Sequence, residues 1–234
     1  MKTKALLLSL FFIIIVSSCT KRIDYSPEFM EQTSGRYLFN QDAVIDVFYD
    51  DNKLFLKWKG TDKIEPIALD ENTFFVADLY KKFQFVQHPK TRAWYLSEIV
   101  DNHENTISYD YLKVEDSFKT PSMHLKDKAY DKALLGYLQI QKQDSTSVFI
   151  NEGDFNRLGY DFLRENQYQD AIHVFKMNVA LYPDSDNVYD SLADAYLRSG
   201  DSLQAFVNYS KALEYNSGNK RAKNYVELYN KKNK

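Results

Sequence analysis

The chain has 234 residues, room for one or two domains. With 44% hydrophobic and 27% charged residues, 18 Tyr and 16 Phe among them, it carries enough apolar surface for a core, which excludes disorder throughout. Seven Gly and five Pro exclude collagen-like and low-complexity structure, a net charge of −3 excludes a broad basic footprint for nucleic acid, and a single Cys excludes an intramolecular disulfide.

Met1 to Lys4 is a short basic start, and Ala5 to Val16 is an apolar run broken only by Ser9. The run is shorter than the roughly 20 residues a helix needs to span a bilayer, and suits the apolar region of a secretory signal. Val16-Ser17-Ser18-Cys19 follows, and it resembles a bacterial lipobox. That resemblance implies cleavage before Cys19 and a diacylglyceryl group on its thiol. Lipid chains on an N-terminal cysteine hold a protein on a membrane, since each buried CH₂ contributes about 0.8 kcal/mol. Thr20 stands where many Gram-negative lipoproteins carry an inner-membrane-retaining Asp, which favours the outer membrane. The expected layout is a signal peptide over 1–18, a tether over 19–33, a beta domain over 34–116, a linker with a bridging helix over 117–150 and a helical domain over 151–231.

From Gly35 to Val114 the apolar period is two, the mark of half-buried strands. Ile45, Val47 and Tyr49 alternate with Val44, Asp46 and Phe48. Asp50-Asp51-Asn52 turns the chain into Lys53 to Lys59, where Leu54, Leu56 and Trp58 share a face. Thr73 to Val76, Phe83 to Gln87, Ala93 to Val100 and Ile107 to Val114 continue the series, the last with Ile107, Tyr109 and Tyr111 on one side. The turns His88 to Thr91 and Asp101 to Asn105 separate them. About seven strands with short turns predict a meander curled into a small antiparallel barrel or sandwich. Gly35-Arg36-Tyr37, Lys53 to Leu56, Pro66 to Leu69, Asn72 to Phe75 and Tyr111 to Val114 resemble the beta domain of unknown function that often follows the serine hydrolase domain of beta-lactamase-like proteins. The resemblance brings no catalytic residue with it, and the hydrolase domain has no counterpart here.

Asp127 to Gln141 has helical spacing through Tyr130, Ala133, Leu134, Tyr137 and Leu138, and predicts a helix that either covers the start of the helical half or bridges the two halves. From Asn151 a period of 34 residues begins. Phe155, Leu158, Gly159, Phe162, Tyr168, Ala171, Phe175 and Pro183 recur as Tyr189, Leu192, Ala193, Tyr196, Ser202, Ala205, Tyr209 and Ser217. This spacing resembles the tetratricopeptide repeat and implies two antiparallel helix pairs, with Lys220 to Tyr229 as a capping helix. The whole chain is thus expected to be α+β, a beta barrel or sandwich followed by a two-repeat helical array. Asn151, Ser185 and Asp201 are placed as helix caps, and Gly200 ends a helix. Asn187 to Leu192 also resembles tail repeats of secreted esterases and beta-lactamase-like hydrolases.

No catalytic pattern stands out. Ser18 to Lys21 and Ser217 to Lys220 fit Ser-x-x-Lys, but the first straddles the cleavage site and the second lies in a predicted loop. His88, His103, His124 and His173 have no partner at metal-ligand spacing, so neither metal nor cofactor is expected. The resemblance to tetratricopeptide arrays implies a concave groove on the first helix of each pair. Its lining would be Asn156, Arg157, Tyr160, Leu163 and Arg164, then Asp190, Ser191, Asp194, Leu197 and Arg198. The Lys-plus-Asn arrangement with which some arrays clamp a C-terminal carboxylate is missing. The reading is a non-enzymatic, lipid-anchored scaffold of the cell envelope, with envelope proteins or peptides as partners, membrane contact through the N-terminal lipid and no nucleic acid. The alternatives are an accessory subunit of a separately encoded serine hydrolase, or a small-ligand carrier using the beta domain.

Overall fold

The computed structural model describes residues 23–100 and 107–233. Cys19, its lipobox and His103 lie outside the described residues.

The stretch expected as tether is built from Tyr25 onward. Helix α1 (Pro27–Thr33) starts at Ser26, whose Oγ accepts from the Phe29 amide, with Pro27 at the first helical position. Nine strands follow among the described residues: β1 (Gly35–Asn40), β2 (Ala43–Asp50), β3 (Lys53–Trp58), β4 (Thr61–Ile64), β5 (Ile67–Ala68), β6 (Thr73–Val76), β7 (Lys81–Gln87), β8 (Trp94–Ile99) and β9 (Tyr111–Val114). Asp51 and Asn52, both with positive φ (47° and 54°), make the two-residue turn between β2 and β3.

The strands form one antiparallel sheet in the order β4-β3-β2-β1-β9-β8-β7-β6-β5. The barrel or sandwich expected from the sequence is therefore corrected to a single curled sheet, a half-barrel. Its two edges, β4 and β5, are consecutive in the chain and separated only by Glu65-Pro66. That short link brings Ile64 and Ile67 within about 10 Å of each other. Yet β5 is two residues long and Pro66 has no N–H, so the seam lacks the donors to close into a ladder. The curl instead closes through side chains. Ile45, Val47, Leu54 and Leu56 from one flank meet Phe74, Val76, Phe83, Phe85 and Leu96 from the other in a single core. The last strand is also shorter than expected: Ile107 and Tyr109 are exposed, and pairing begins at Tyr111.

The helices are α2 (Pro121–Lys126), α3 (Tyr130–Gln143), α4 (Glu152–Arg164), α5 (Tyr168–Leu181), α6 (Asp186–Arg198), α7 (Ser202–Tyr215) and α8 (Lys220–Lys232). The starts of α4 and α6 lie 34 residues apart, as do those of α5 and α7, and the lengths match at 13 and 14 residues. This is the tetratricopeptide-type arrangement, two copies of one helix hairpin side by side. Asn151, Asp201 and Asn219 accept from the Asp154, Gln204 and Ala222 amides, whereas Ser185 makes no side-chain cap bond. Helix α3 covers the N-terminal end of the array, with Tyr130, Ala133, Tyr137 and Ile140 buried against Phe155, Val174, Met177 and Leu181.

Sheet and helices meet at the β1–β2 turn. The Ser122 amide donates to Asp42 Oδ1 (2.7 Å) and the Tyr137 hydroxyl to Asp42 Oδ2 (3.4 Å), while Gln41 touches Gln143 and Ser147. The chain enters the described fold at the other end of β2, where the Tyr25 amide donates to Asn52 Oδ1 (3.1 Å) and the Thr33 hydroxyl meets Tyr49 Oη (2.7 Å). An eight-residue strand spans about 26 Å, so the entering chain and the helices occupy opposite ends of the sheet.

Candidate functional site

The candidate site is the face on which α4, α6 and α8 succeed one another. The 34-residue register fixes which side chains meet there. Asn187, near the start of α6, donates to Glu152 Oε1 on α4 (2.8 Å). Arg221 stands 34 residues further on, near the start of α8, and reaches back in the same manner. Its guanidinium binds both carboxylate oxygens of Asp190, with Nε at 3.2 Å from Oδ1. It also lies 3.6 Å from Asp194 Oδ2 and donates to the Tyr160 hydroxyl (3.2 Å). Asn219 donates to Asp190 Oδ1 (3.0 Å), and Arg198 Nε donates to Asp194 Oδ2 (3.2 Å). The hydrogen bond that Arg198 donates to Asp194 holds its guanidinium pKa above the ordinary value.

Burial is lopsided. The side chains of Asp190 and Asp194 are 9% and 10% exposed, while those of Arg221 and Arg198 are 47% and 51% exposed. The acids form the floor and the arginines lie over it. Asp190 and Asp194 are one turn apart on α6, so without a cation they would repel within a poorly hydrated space. Two more polar atoms of this face are buried without a hydrogen-bond partner, Asn156 Oδ1 and Ser191 Oγ. Oδ1 of the fully buried Asn178, on α5, is a third in the same hairpin. Its Nδ2 holds the Glu152 carbonyl at 3.0 Å.

Of the ten residues expected in the groove, Tyr160, Asp190, Asp194 and Arg198 gather around Arg221, and Asn156 and Ser191 lie beside them half-buried and buried. Arg157 and Arg164 do not join: both are exposed and bind Asp154 and Asp161 of their own helix. Leu163 is 3% exposed and packs in the core with Phe175 and Leu192, so it lines no groove. Leu197 is 37% exposed. Arg221 was missed because α8 reads as a cap; its place 34 residues after Asn187 was the available signal.

A second polar cluster joins the starts of α3 and α5. Asp170 accepts from Tyr130 Oη and from Lys128 Nζ (both 2.7 Å), and His173 stacks on the Tyr130 ring at 4.8 Å. These groups satisfy one another and tie α3 to the array. Among the described residues no set of three or more His, Cys, Asp or Glu converges on a metal position. Ser217, of the second Ser-x-x-Lys match, is exposed between α7 and α8. No described helix is long and apolar enough to cross a membrane.

No family model matches the chain, and no curated protein matches it. Solved structures do. The first tetratricopeptide domain of Spaghetti (RPAP3), bound to the HSP90 peptide SRMEEVD, is 19% identical, with 47% of this chain and 85% of that chain covered and a TM-score of 0.33. MamA is 21% identical over 46% of this chain and 57% of its own, with a TM-score of 0.31, so this chain spans little more than half of MamA. The Arabidopsis OM64 tetratricopeptide domain is 18% identical over 46% and 86%, with a TM-score of 0.32. The tetratricopeptide-type arrangement is read from the 34-residue recurrence of the helix pairs, not from these likenesses. The likeness of the sheet half to the module beside beta-lactamase-like hydrolases stays a resemblance of sequence.

Proposed function

We propose that the chain is a non-enzymatic adaptor of the bacterial cell envelope, lipid-anchored through Cys19, whose helical groove holds a segment of a partner protein. The observation that carries this reading is the floor of that groove. Asp190, Ser191 and Asp194 are buried polar residues on the open face of an array, a place where folding alone would favour apolar or plainly solvated side chains. The half-barrel acts as a spacer. The described chain enters at the end of the sheet away from the helices, so an anchor at Cys19 sets the groove about one strand length further from the lipid. The outer membrane of a Gram-negative bacterium is the proposed site of anchoring, from the sequence around Cys19.

The carrier alternative is disfavoured by the sheet interior, where Tyr37, Phe74, Phe83 and Phe85 fill the space a ligand would need. The test is a crosslinking pull-down from envelope membranes with the native chain and with Asn156→Ala/Tyr160→Ala. A partner set that disappears with the double variant supports the groove. An unchanged set sinks it. A single serine hydrolase as the captured partner would make the adaptor an accessory subunit.

A further inference from the structure

We infer that the groove recognises a cationic segment, an arginine or lysine side chain of the partner polypeptide seated against the Asp190–Asp194 carboxylate pair; this rests on the groove reading above. Three observations converge on that chemistry. The fold itself demonstrates the fit, because the Arg221 guanidinium bridges both carboxylates and reaches the Tyr160 hydroxyl. The floor is short of donors: Asn156 Oδ1 and the 1%-exposed Ser191 Oγ have none, and a guanidinium carries five N–H groups. The groove also has little to offer an anion, since its two arginines, Arg198 and Arg221, are each already held by an aspartate.

Arg198 is the exchangeable one of the two resident arginines. It is about half-exposed, and a pair with one solvated member gains little net energy. Asp194 is the opposite, nearly buried and fixed on α6, so it needs a cation once Arg198 is displaced. A partner cation that displaces Arg198 from Asp194 exchanges one charge-assisted bond for another, and any apolar contact beside exposed Leu197 is then a gain.

The test uses the full-length chain in detergent and three fluorescein-labelled nonapeptides of an Ala/Gly background. One carries two arginines four positions apart, one two glutamates, one neither. Fluorescence anisotropy should show the arginine peptide binding about tenfold more tightly than the glutamate peptide, with the preference shrinking as salt screens it. Asp194→Asn should weaken the arginine peptide about fivefold or more, since it removes a charge-assisted bond. Arg198→Ala, at an exposed side chain, should tighten it about threefold by freeing Asp194 from a competing cation. The inference is overturned if the glutamate peptide binds more tightly, or if neither variant moves the arginine peptide. A glutamate peptide whose binding is lost in Tyr160→Ala would leave the groove reading standing while this inference falls. If no peptide binds, this inference falls and the pull-down decides the groove reading.

Discussion

At the scale of single residues, two positions hold the helical half together by opposite means. Gly159 lets α4 approach α5: a Cβ there would sit 2.5 Å from Phe175 Cε1, and the ring is fully buried with nowhere to go. Gly159→Ala should therefore destabilise the array despite its better helix propensity, because overpacking of this kind costs about 1–3 kcal/mol. Urea unfolding with hydrogen exchange on α4 and α5 checks it; an unchanged or raised midpoint would show that the contact relaxes freely. Arg221 works through charge. Removing it leaves Asp190 with Asn219 as its remaining donor, and a buried charged acceptor stripped of its partner costs about 1–3 kcal/mol. Arg221→Ala should lower the unfolding midpoint, with Arg221→Lys recovering only part, since a point-charge ammonium cannot bridge two carboxylates as a fork does. Full recovery by Lys would argue that geometry is irrelevant there.

Elements bring a different set of forces into play. Helix α1 is seven residues long, too short to persist alone, and is held by side chains. Phe29 sits edge-on to Phe85 and stacks near Tyr25, which in turn meets Tyr49, and the Thr33 hydroxyl binds Tyr49. The helix thereby covers apolar rings of the half-barrel that strands alone leave open. Deleting residues 1–22 should leave thermal stability nearly untouched, whereas deleting 1–33 should lower the melting temperature by several degrees, since about 1 kcal/mol moves a small domain by about 4–8 °C. Equal melting of the two truncations would return α1 to the role of a tether. This helix was illegible because Pro27 to Thr33 offers a single turn's worth of apolar positions, Phe29 and Met30, without a repeat. Strands β4 and β5 were illegible for a related reason: at four and two residues they are too short for a period of two to show.

For the molecule as a whole, titration and anchoring give the broad tests. Burial pushes the hydroxyls of Tyr37, Tyr49 and Tyr137 well above the ordinary value of 10.0, while in the unfolded chain they ionise near that value. Their contribution is fully present below about pH 10 and is lost as pH rises through the raised folded values, so stability should drop steeply on the alkaline side. Urea midpoints measured across the alkaline range check this; a flat profile would mean the phenols reach solvent in the folded state. Asp42, at the joint between sheet and helices, has its carboxyl raised by burial against bonds from Ser122, Thr120 and Tyr137. Raised above 3.8, it favours the joint most at low pH and loses that share as pH climbs past its folded value. In cells, Cys19→Ser should release the protein from the membrane fraction or leave it as a longer precursor. A processed, membrane-bound Cys19→Ser variant would end the lipid-anchor proposal.

The amino-acid sequence by itself determined what depends on neighbours along the chain. The 34-residue recurrence set the helix pairs and their lengths, because each hairpin repeats one packing problem with residues such as Ala171 and Ala205, both fully buried. Period two marked β2, β3 and β7 for the same local reason. Tertiary structure decided what depends on residues far apart. Whether the strands close into a barrel rested on how the two flanks of the sheet, joined by the pairing of β1 with the distant β9, curl toward one another, and the answer was an open, curled sheet. Which groove residues act together rested on Arg221, 31 positions from Asp190 and 61 from Tyr160, and no pattern on one helix face could state that those three side chains share a hydrogen-bond network.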